Sequence, residues 1–187
     1  MSIKEQIEKY IPYNEQEQSD KEQMLSFIET YSDILTRKNT IGHFSSSAFV
    51  VNKDRTKALV VYHIIQNGWI WPGGHADGDD NLLNVATREV KEETGLDVKV
   101  LDENIFGIHS AGVKGHIKHG KFVSAHIHFD TMYLMEGDDT LPLVYREDES
   151  LGVKWIPIED LTSEIMCDFT IPISKKMISK LRDIEDK

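Results

Sequence analysis

The sequence has little of what secreted and membrane proteins need. Its one cysteine, Cys167, excludes an intrachain disulfide, and a single thiol of this kind is typical of a small buried apolar residue. No apolar run approaches the ~20 residues that a membrane helix requires, and the N-terminus lacks the apolar segment of a signal peptide. We therefore expect a cytoplasmic protein that does not interact with membranes.

Basic residues are also few. The 187 residues include 21 Lys and Arg against 32 Asp and Glu, which gives a net charge of −11. Contacts to nucleic-acid phosphates require Lys and Arg, so no nucleic-acid partner is expected, and anionic membranes would repel the chain. A small phosphorylated substrate remains compatible with this charge, because a bound cation inverts the local electrostatics. The length suits one domain with a sizeable core.

The residues with the clearest chemistry lie between Gly74 and Leu96. Five apolar residues there recur at helical intervals, namely Leu82, Leu83, Val85, Ala86 and Val90. They predict an amphipathic helix from Asn81 to Thr94. Asp79 or Asp80 is the expected N-cap, and Gly95 suits the left-handed position after the last turn.

Three carboxylates, those of Glu89, Glu92 and Glu93, fall within roughly a third of this helix's circumference. Like charges one turn apart repel each other, and a hard cation such as Mg²⁺ or Mn²⁺ would relieve the repulsion. The alternative is a solvated acidic face. Arg88 lies beside the cluster, and an apolar run and a glycine-rich turn precede the helix. This pattern favours a site that binds a metal ion together with phosphate.

At this point the stretch resembles the Nudix box, Gly-x5-Glu-x7-Arg-Glu-U-x-Glu-Glu-x-Gly-U, where U is a bulky aliphatic residue. The residues on matching positions are Gly74, Arg88, Glu89, Val90, Glu92, Glu93, Gly95 and Leu96. The preceding Trp71-Pro72-Gly73-Gly74-His75 also resembles the usual approach to the box. Asp80 is the single departure, because the family usually has Glu there.

The resemblance implies a fold of the α/β class, an α/β/α sandwich around a mixed β-sheet. Residues 41–187 would form the Nudix domain, and residues 1–40 an N-terminal helical extension packed on its core. Residues 3–10 suggest a short helix, and the capping-box pattern of Ser19 and Glu22 predicts the start of a second. A final helix after Pro172 would bury an apolar stripe that reaches Ile184.

The implied activity is metal-dependent hydrolysis of a diphosphate linkage in a nucleoside diphosphate joined to another group. By resemblance, Glu89 and Glu93 are the principal ligands of Mg²⁺ or Mn²⁺, with the Gly74 carbonyl as a third. Glu92 would be a shared ligand or the base that activates water. Arg88 would orient Glu89 or Glu92 through charge-assisted hydrogen bonds.

A carboxylate outside the box often serves such enzymes as base or extra ligand, and Glu149 is preferred here over Glu147. The alternative for each is a solvated acidic loop. Residues 115–121 are basic in an acidic chain, so His116, Lys118 and Lys121 are candidates for binding substrate phosphate. A solvated hairpin is an equal alternative for this segment.

Residues 121–134 predict one strand in which His126, His128 and Asp130 share a face. This face suits a second metal site, a substrate-binding face or a polar inner surface. The Nudix resemblance favours substrate binding by His126 and His128. His43 shows no partner at the spacing of a zinc site and is assigned a structural or surface role.

Two other functions stay open. A Nudix-like domain can bind a nucleotide or sugar ligand without hydrolysis, although a sensor need not keep all the box carboxylates. A prenyl diphosphate isomerase shares this fold, but it requires a catalytic Cys and Glu, and Cys167 lies far from the box in sequence. A homodimer is also left open, and the substrate is not named by the sequence.

Overall fold

The computed structural model describes residues 1–64, 66–118, 120–145, 150–162 and 165–185. Its helices are α1 (Ile3–Lys9), α2 (Glu15–Thr30), α3 (Leu82–Thr94) and α4 (Thr170–Glu185), with a 3-10 helix at Ile158–Thr162. The first strands are β1 (Gly42–Val51), β2 (Lys57–His63), β3 (Gly68–Ile70), β4 (Gly73–His75) and β5 (Lys99–Val100). The others are β6 (Gly107–Val113), β7 (His116–Lys118), β8 (Lys121–Val123), β9 (His126–Glu136) and β10 (Ser150–Pro157).

Among the described residues, eight strands form one mixed sheet around a parallel pair, β1 and β9. The order is β10-β2-β1-β9-β5, while β3 pairs with β2, β4 with β1 and β6 with β9. The β1–β9 register runs from Gly42 opposite Ile127 to Val51 opposite Glu136. Because β4 lies antiparallel to β1, Gly73 is opposite Ser47 and His75 is opposite Ser45.

Each face of the sheet carries its own apolar core, which gives the three layers of the α/β/α sandwich. On one face, α1, α2 and α3 pack against β1 and β9 through Ile7, Phe27, Ala86, Phe44 and Phe129. On the other face, α4 and the 3-10 helix pack through Ile178, Leu161, Phe49 and Met132. The predicted fold class is confirmed, since alternate strand residues supply the two cores.

A buried ion pair joins the second helix to the last. The Nζ of Lys176 in α4 lies 2.8 Å from Oε1 of Glu17 in α2, and both side chains are almost wholly buried. The hydroxyl of Tyr10 and the backbone N–H of Tyr13 both donate hydrogen bonds to Glu17 Oε2. Burial alone would raise the pKa of Glu17, but these donors more than offset it and hold the pKa below its ordinary value. The ion pair therefore fixes α2 against α4, and the division into an extension at residues 1–40 and a domain at 41–187 stays a prediction.

Two predicted helix features are wrong. Helix α2 begins four residues before Ser19, because the Asn14 side chain caps it by accepting a hydrogen bond from the N–H of Glu17. The residues that follow Asn14 are good helix formers, so Ser19 lies inside the helix. In α4, Met177, Ile178 and Leu181 are buried as expected, but Ile184 is exposed at the end of the helix.

The single strand predicted over residues 121–134 is also wrong. Lys121 to Val123 form β8, which pairs with β7 as a separate two-stranded sheet. Strand β9 begins only at His126 and joins the main sheet between β1 and β6.

No helix within the described ranges is both long and apolar enough to cross a membrane.

Candidate active site

Helix α3 positions the carboxylates, and both of its ends are fixed locally. The Asn81 side chain accepts a hydrogen bond of 3.1 Å from the N–H of Asn84, so Asn81 is the N-cap. The prediction of Asp79 or Asp80 as the cap is therefore wrong. The helix ends as predicted at Gly95, whose φ of 75° is the left-handed conformation that glycine adopts without strain.

The innermost carboxylate of the helix is that of Glu93, which is 9% exposed. Its Oε2 accepts a hydrogen bond of 2.9 Å from the backbone N–H of Gly73 in β4. The last turn of α3 is thereby attached to the strand that precedes the helix. Gly73 itself faces β1, where an added Cβ would lie 2.6 Å from the Cβ of Ser47.

The carboxylate of Glu89 lies directly against Gly74. A Cβ placed on Gly74 would be 2.7 and 2.6 Å from Oε1 and Oε2 of Glu89, which is closer than side chains tolerate. Only a residue without a side chain fits this approach. The Gly74 backbone and the Glu89 carboxylate therefore lie side by side, as a shared cation site requires.

Arg88 lies among three carboxylates. Its guanidinium is 3.3 Å from Oε1 of Glu89, 3.7 Å from Oε1 of Glu92 and 3.5 Å from Oδ2 of Asp79. Asp79 is held in turn by the N–H of Asn81 and the side-chain amide of Asn84. Backbone donation from Asn81, the largest cause, and the Asn84 amide lower the pKa of Asp79.

The three helix carboxylates differ in their access to solvent. The side chain of Glu92 is 45% exposed, whereas that of Glu89 is 18% exposed. Carboxylate oxygens on adjacent turns of a helix are the kind of donor that Mg²⁺ and Mn²⁺ prefer. The residues present therefore fit a hard divalent cation.

The basic segment forms the β7–β8 hairpin, in which His116 pairs with Val123 and Lys118 with Lys121. Lys118 is near enough to His63 and His75 to lower the pKa of both imidazoles, although burial is the larger cause. The ring centroid of His116 in this hairpin lies 6.4 Å from that of His126 at the start of β9. Lys121 is exposed at the turn, while His116 and Lys118 are half-buried.

Four histidines converge beside the same strand. Ligating nitrogens of His43, His75 and His128 all lie within 4.8 Å of one another. Nε2 of His128 is 3.2 Å from Nε2 of His75 and 3.1 Å from Nε2 of His126. Burial, reinforced by the neighbouring imidazoles, lowers the pKa of His75 to about 3 and that of His128 to about 2. Both are neutral at pH 7.

A buried carboxylate continues this face of the sheet. Asp130, two residues after His128, accepts hydrogen bonds from the hydroxyls of Ser45 and Ser47, and its Oδ2 is 3.7 Å from Nδ1 of His109. Burial raises the pKa of Asp130 to about 6. The alternation expected for His126, His128 and Asp130 is confirmed, since all three lie on one face of β9.

Comparison with known proteins decides the family. The model of the NUDIX domain matches residues 43–180 of this chain, from the start of β1 to within α4. The chain belongs to the Nudix family. The structure of a NUDIX-family hydrolase from Clostridium perfringens superposes with a TM-score of 0.55 at 22% identity, over 74% of this chain and 97% of that chain. At that identity the match supports the Nudix fold.

Two curated relatives match the same part of the chain. Nudix hydrolase 6 of Arabidopsis thaliana is 31% identical over 67% of this chain, but the match spans only 43% of that protein's length. An RNA pyrophosphohydrolase of Pelagibacter ubique is 28% identical over 72% of this chain and 88% of its own. Both names agree with the hydrolase class predicted from the Nudix box.

The structure brings together most of the residues predicted for the Nudix site. Gly74, Arg88, Glu89, Glu92 and Glu93 form one contiguous group at the meeting of β4 and α3. Of the other predicted residues, His128 of β9 contacts His75, and His116 of the basic hairpin lies 6.4 Å from His126 between ring centroids. Glu147 and Glu149 lie outside the described residues, so the role of Glu149 stays a prediction.

The roles of three residues near the site, Asp79, His43 and His75, were not predicted from the sequence. Asp79, rather than Asp80, contacts Arg88. His43 was assigned a structural or surface role and His75 was used only to match the box, yet both lie in the histidine cluster. The alternation of His43 with Ser45 and Ser47 along β1 was the available signal, because it marks a polar face on a strand that is buried throughout.

Proposed function

We propose that this Nudix protein hydrolyses the diphosphate linkage of a nucleoside diphosphate joined to a second group, using Mg²⁺ or Mn²⁺. The observation that carries the proposal is the placement of Glu93 and Glu89 against Gly73 and Gly74. Carboxylates packed this closely against backbone suit a cation shared between helix and strand. Membership of the Nudix family supports the same chemistry, since these enzymes act on pyrophosphate bonds with divalent ions.

The ligands proposed for the cation are Glu89 and Glu93, with the Gly74 carbonyl beside them. When bound there, the ion would offset charge on the phosphate oxygens and lower the pKa of a coordinated water. Glu92, the most exposed of the three carboxylates, is the residue best placed to accept a proton from that water or to share the ion. Arg88 holds Glu89 and Glu92 in their orientations, which supplies positioning before substrate arrives.

The substrate would approach from the side of the β7–β8 hairpin. We assign binding of its phosphates or polar group to His116, Lys118 and Lys121, because the hairpin provides positive charge close to His126 in an otherwise acidic protein. The sequence pattern also predicts substrate contacts from His126 and His128, for which the histidine cluster offers a second assignment below. Glu149 remains the proposed base or additional ligand from outside the Nudix box.

A small nucleotide-derived substrate is favoured over RNA by the net charge of −11. The 5′ end of an RNA is the second candidate, because the Pelagibacter relative carries the name RNA pyrophosphohydrolase. Salt distinguishes these two substrates. Binding of RNA should weaken more steeply with salt than binding of a small nucleotide, since contacts along an RNA backbone release counterions. A cytoplasmic location and a homodimer also remain proposals, and size-exclusion chromatography with light scattering would measure the oligomeric state.

The test is release of phosphate or nucleotide with Mg²⁺ and with Mn²⁺. The panel would hold nucleotide sugars, dinucleoside polyphosphates, NAD-type dinucleotides, nucleoside triphosphates and 5′-triphosphorylated RNA. Cleavage that EDTA and Glu93→Gln both abolish supports the proposal. Measurable ligand binding with no cleavage of any substrate would favour the sensor alternative instead.

A further inference from the structure

The histidine cluster offers a set of donors that the carboxylate site does not use. His43 lies in β1, His75 in β4 and His128 in β9, and the sheet register brings them together. His43 is the direct neighbour of His128 across the parallel pair, and His75 lies opposite Ser45 on the other side of β1. Side chains at positions 43 and 45 share a face of β1, so the three imidazoles project from the same side of the sheet.

Two distances within the cluster match those of a tetrahedral metal centre. Zinc–nitrogen bonds of about 2.0–2.1 Å place neighbouring ligand nitrogens of a tetrahedron ~3.3 Å apart. The Nε2 atoms of His75 and His128 are 3.2 Å apart, and those of His126 and His128 are 3.1 Å apart. The ligating nitrogens of His43, His75 and His128 lie within 4.8 Å of one another, so a bound ion would draw the His43 ring inward.

In two of the rings, those of His126 and His43, the Nδ1 atom that points away from the cluster contacts a backbone carbonyl. Nδ1 of His126 is 2.8 Å from the carbonyl of Ser124, and Nδ1 of His43 is 3.4 Å from the carbonyl of Asn39. A carbonyl accepts only, so Nδ1 is the donor in both contacts and Nε2 of each ring is the nitrogen that faces the cluster. Metal-binding histidines are commonly held in this way, with the second ring nitrogen donating to a backbone carbonyl.

A buried nitrogen without a partner points to a ligand. His43 is 3% exposed, and its Nε2 is buried and makes no hydrogen bond to any part of the chain that the structure describes. Leaving such a buried polar atom without a partner is destabilising in a folded protein. Hydrogen bonds among the four imidazoles do not satisfy all of their Nε2 atoms. Nε2 of His128 carries at most one hydrogen, which would have to serve both His75 and His126.

We propose that His43, His75 and His128 bind a zinc ion, with His126 as the fourth ligand, at a centre separate from the Nudix carboxylates. Imidazole nitrogen suits Zn²⁺ and poorly suits Mg²⁺, so the two sites select different metals by ligand chemistry. A structural site of four protein ligands is closed to water. This assignment replaces the predicted contacts of His126 and His128 with substrate.

The ion would join three strands that are distant in sequence. His75 directly follows Gly74, so a metal on His75 would fix the end of β4 against β1 and β9. Zinc binding would therefore stabilise the strand against which Glu89 and Glu93 pack. The inference stands independently of the proposed hydrolysis, because it concerns metal content and stability rather than turnover.

The first test measures zinc binding by the full chain after it has been stripped with a chelator. Isothermal titration with Zn²⁺ in excess Mg²⁺ should show one ion per chain. Zinc at 100 times its dissociation constant should raise Tm by about 5–10 °C. Absence of binding in the presence of Mg²⁺ would overturn the proposal.

Matched variants locate the ion. His43→Gln and His128→Gln should each weaken zinc binding at least about 10-fold, whereas His63→Gln, a histidine of β2 outside the cluster, should bind as the unmodified chain does. Glu93→Gln should keep the zinc while losing Mg²⁺-dependent activity. Loss of zinc in Glu93→Gln with retention in both cluster variants would place the ion at the carboxylates and refute the assignment.

A spectroscopic measurement on the unmodified protein does not depend on the folding of any variant. X-ray absorption of the zinc-loaded chain should show four nitrogen neighbours at about 2.0–2.1 Å with the outer-shell scattering of imidazole. A shell of oxygen neighbours without imidazole scattering would contradict the proposal. Hydrolysis can fail in the substrate panel while this signature persists, so the two proposals fail separately.

Discussion

The carboxylate of Glu93 accepts a hydrogen bond of 2.9 Å from the N–H of Gly73, a residue 20 positions earlier in the chain. The interaction attaches the last turn of the Nudix helix to the strand that precedes it. It also holds a nearly buried carboxylate against Gly73, the residue next to the Gly74 that Glu89 contacts. A structural contact and a proposed metal ligand thus reside in one side chain.

Substitution Glu93→Gln separates these two roles. The amide oxygen of glutamine can still accept from Gly73, so the free energy of unfolding should change little, whereas the negative charge for the cation is lost. We expect turnover to fall by orders of magnitude at saturating Mg²⁺. Kinetics with the best substrate of the panel, together with a urea denaturation curve, measure both quantities. Glu103→Gln, an exposed acidic residue, is the control, and full activity in Glu93→Gln would remove this residue from the mechanism.

Substitution Gly74→Ala should damage the site by sterics alone. The new Cβ would overlap the Glu89 carboxylate and displace it by a few tenths of an ångström or more. We expect turnover to fall about 100-fold, as misplacement of a catalytic group produces. The unfolding free energy should fall by about 1–3 kcal/mol from overpacking. Gly112→Ala in β6 is the matched control, because an added Cβ there meets nothing within 4 Å. Equal activities of the two variants would contradict the packing argument.

The partner of Arg88 distinguishes two neighbouring aspartates. Asp79 lies 3.5 Å from the Arg88 guanidinium, whereas Asp80 is exposed. Asp79→Ala should lower turnover about 10-fold, which is typical for loss of an outer partner of metal ligands. Its effect on stability should stay within about 1 kcal/mol, because the pair is partly exposed. Asp80→Ala should have normal kinetics, and the reverse ranking would show that Asp80 takes the place of the usual Glu.

The buried pair of Glu17 and Lys176 should control stability without touching the chemistry. Removal of one charge, as in Glu17→Gln, leaves Lys176 buried beside a neutral group and should cost about 3–5 kcal/mol. Urea denaturation measures the loss, and Glu22→Gln on the exposed side of the same helix is the control. The double variant Glu17→Gln with Lys176→Met should recover part of the loss, and strictly additive costs would mean that the two residues are not coupled.

The same carboxylate predicts part of the pH dependence of stability. Burial of Glu17 is outweighed by hydrogen bonds from Lys176 and Tyr10, so its pKa in the folded protein lies below the ordinary value of 4.5. The unfolded state then binds the proton more readily, and the contribution is present above pH 4.5 and lost as the pH falls through the folded pKa. The difference in unfolding free energy between the unmodified chain and Glu17→Gln should shrink on acidification. A difference that stays constant from pH 7 to pH 3 would exclude this titration.

Sequence predicts the carboxylate site because its geometry is local. One helix and the turn before it fix Arg88, Glu89, Glu92 and Glu93, and helical spacing is readable from the residues themselves. The choice of cap was not readable, since Asp79, Asp80 and Asn81 are all good cap residues and side-chain packing decides among them.

The sequence marks a polar face at His43 but could not predict which histidines meet there, because that contact is not local. His43, His75 and His128 meet only because β1 pairs in register with both β4 and β9. No local pattern encodes a register between strands that are far apart in the chain. The strand from 121 to 134 failed similarly, because pairing of Lys121 to Val123 with β7 outweighs the apolar alternation that would extend β9.

The parallel pairing of β1 with β9 also determines how long β1 waits for its partner strand during translation. Ser45 of β1 bonds to Asp130 of β9, 85 residues later, and every pair in this ladder has the same separation. At a translation rate of about 5–20 residues per second, β9 is synthesised roughly 4–17 s after β1. Throughout that interval the buried residues of β1 have no parallel partner. Nascent chains should therefore need a holding chaperone more than helical proteins of this length, and refolding from denaturant should be slow.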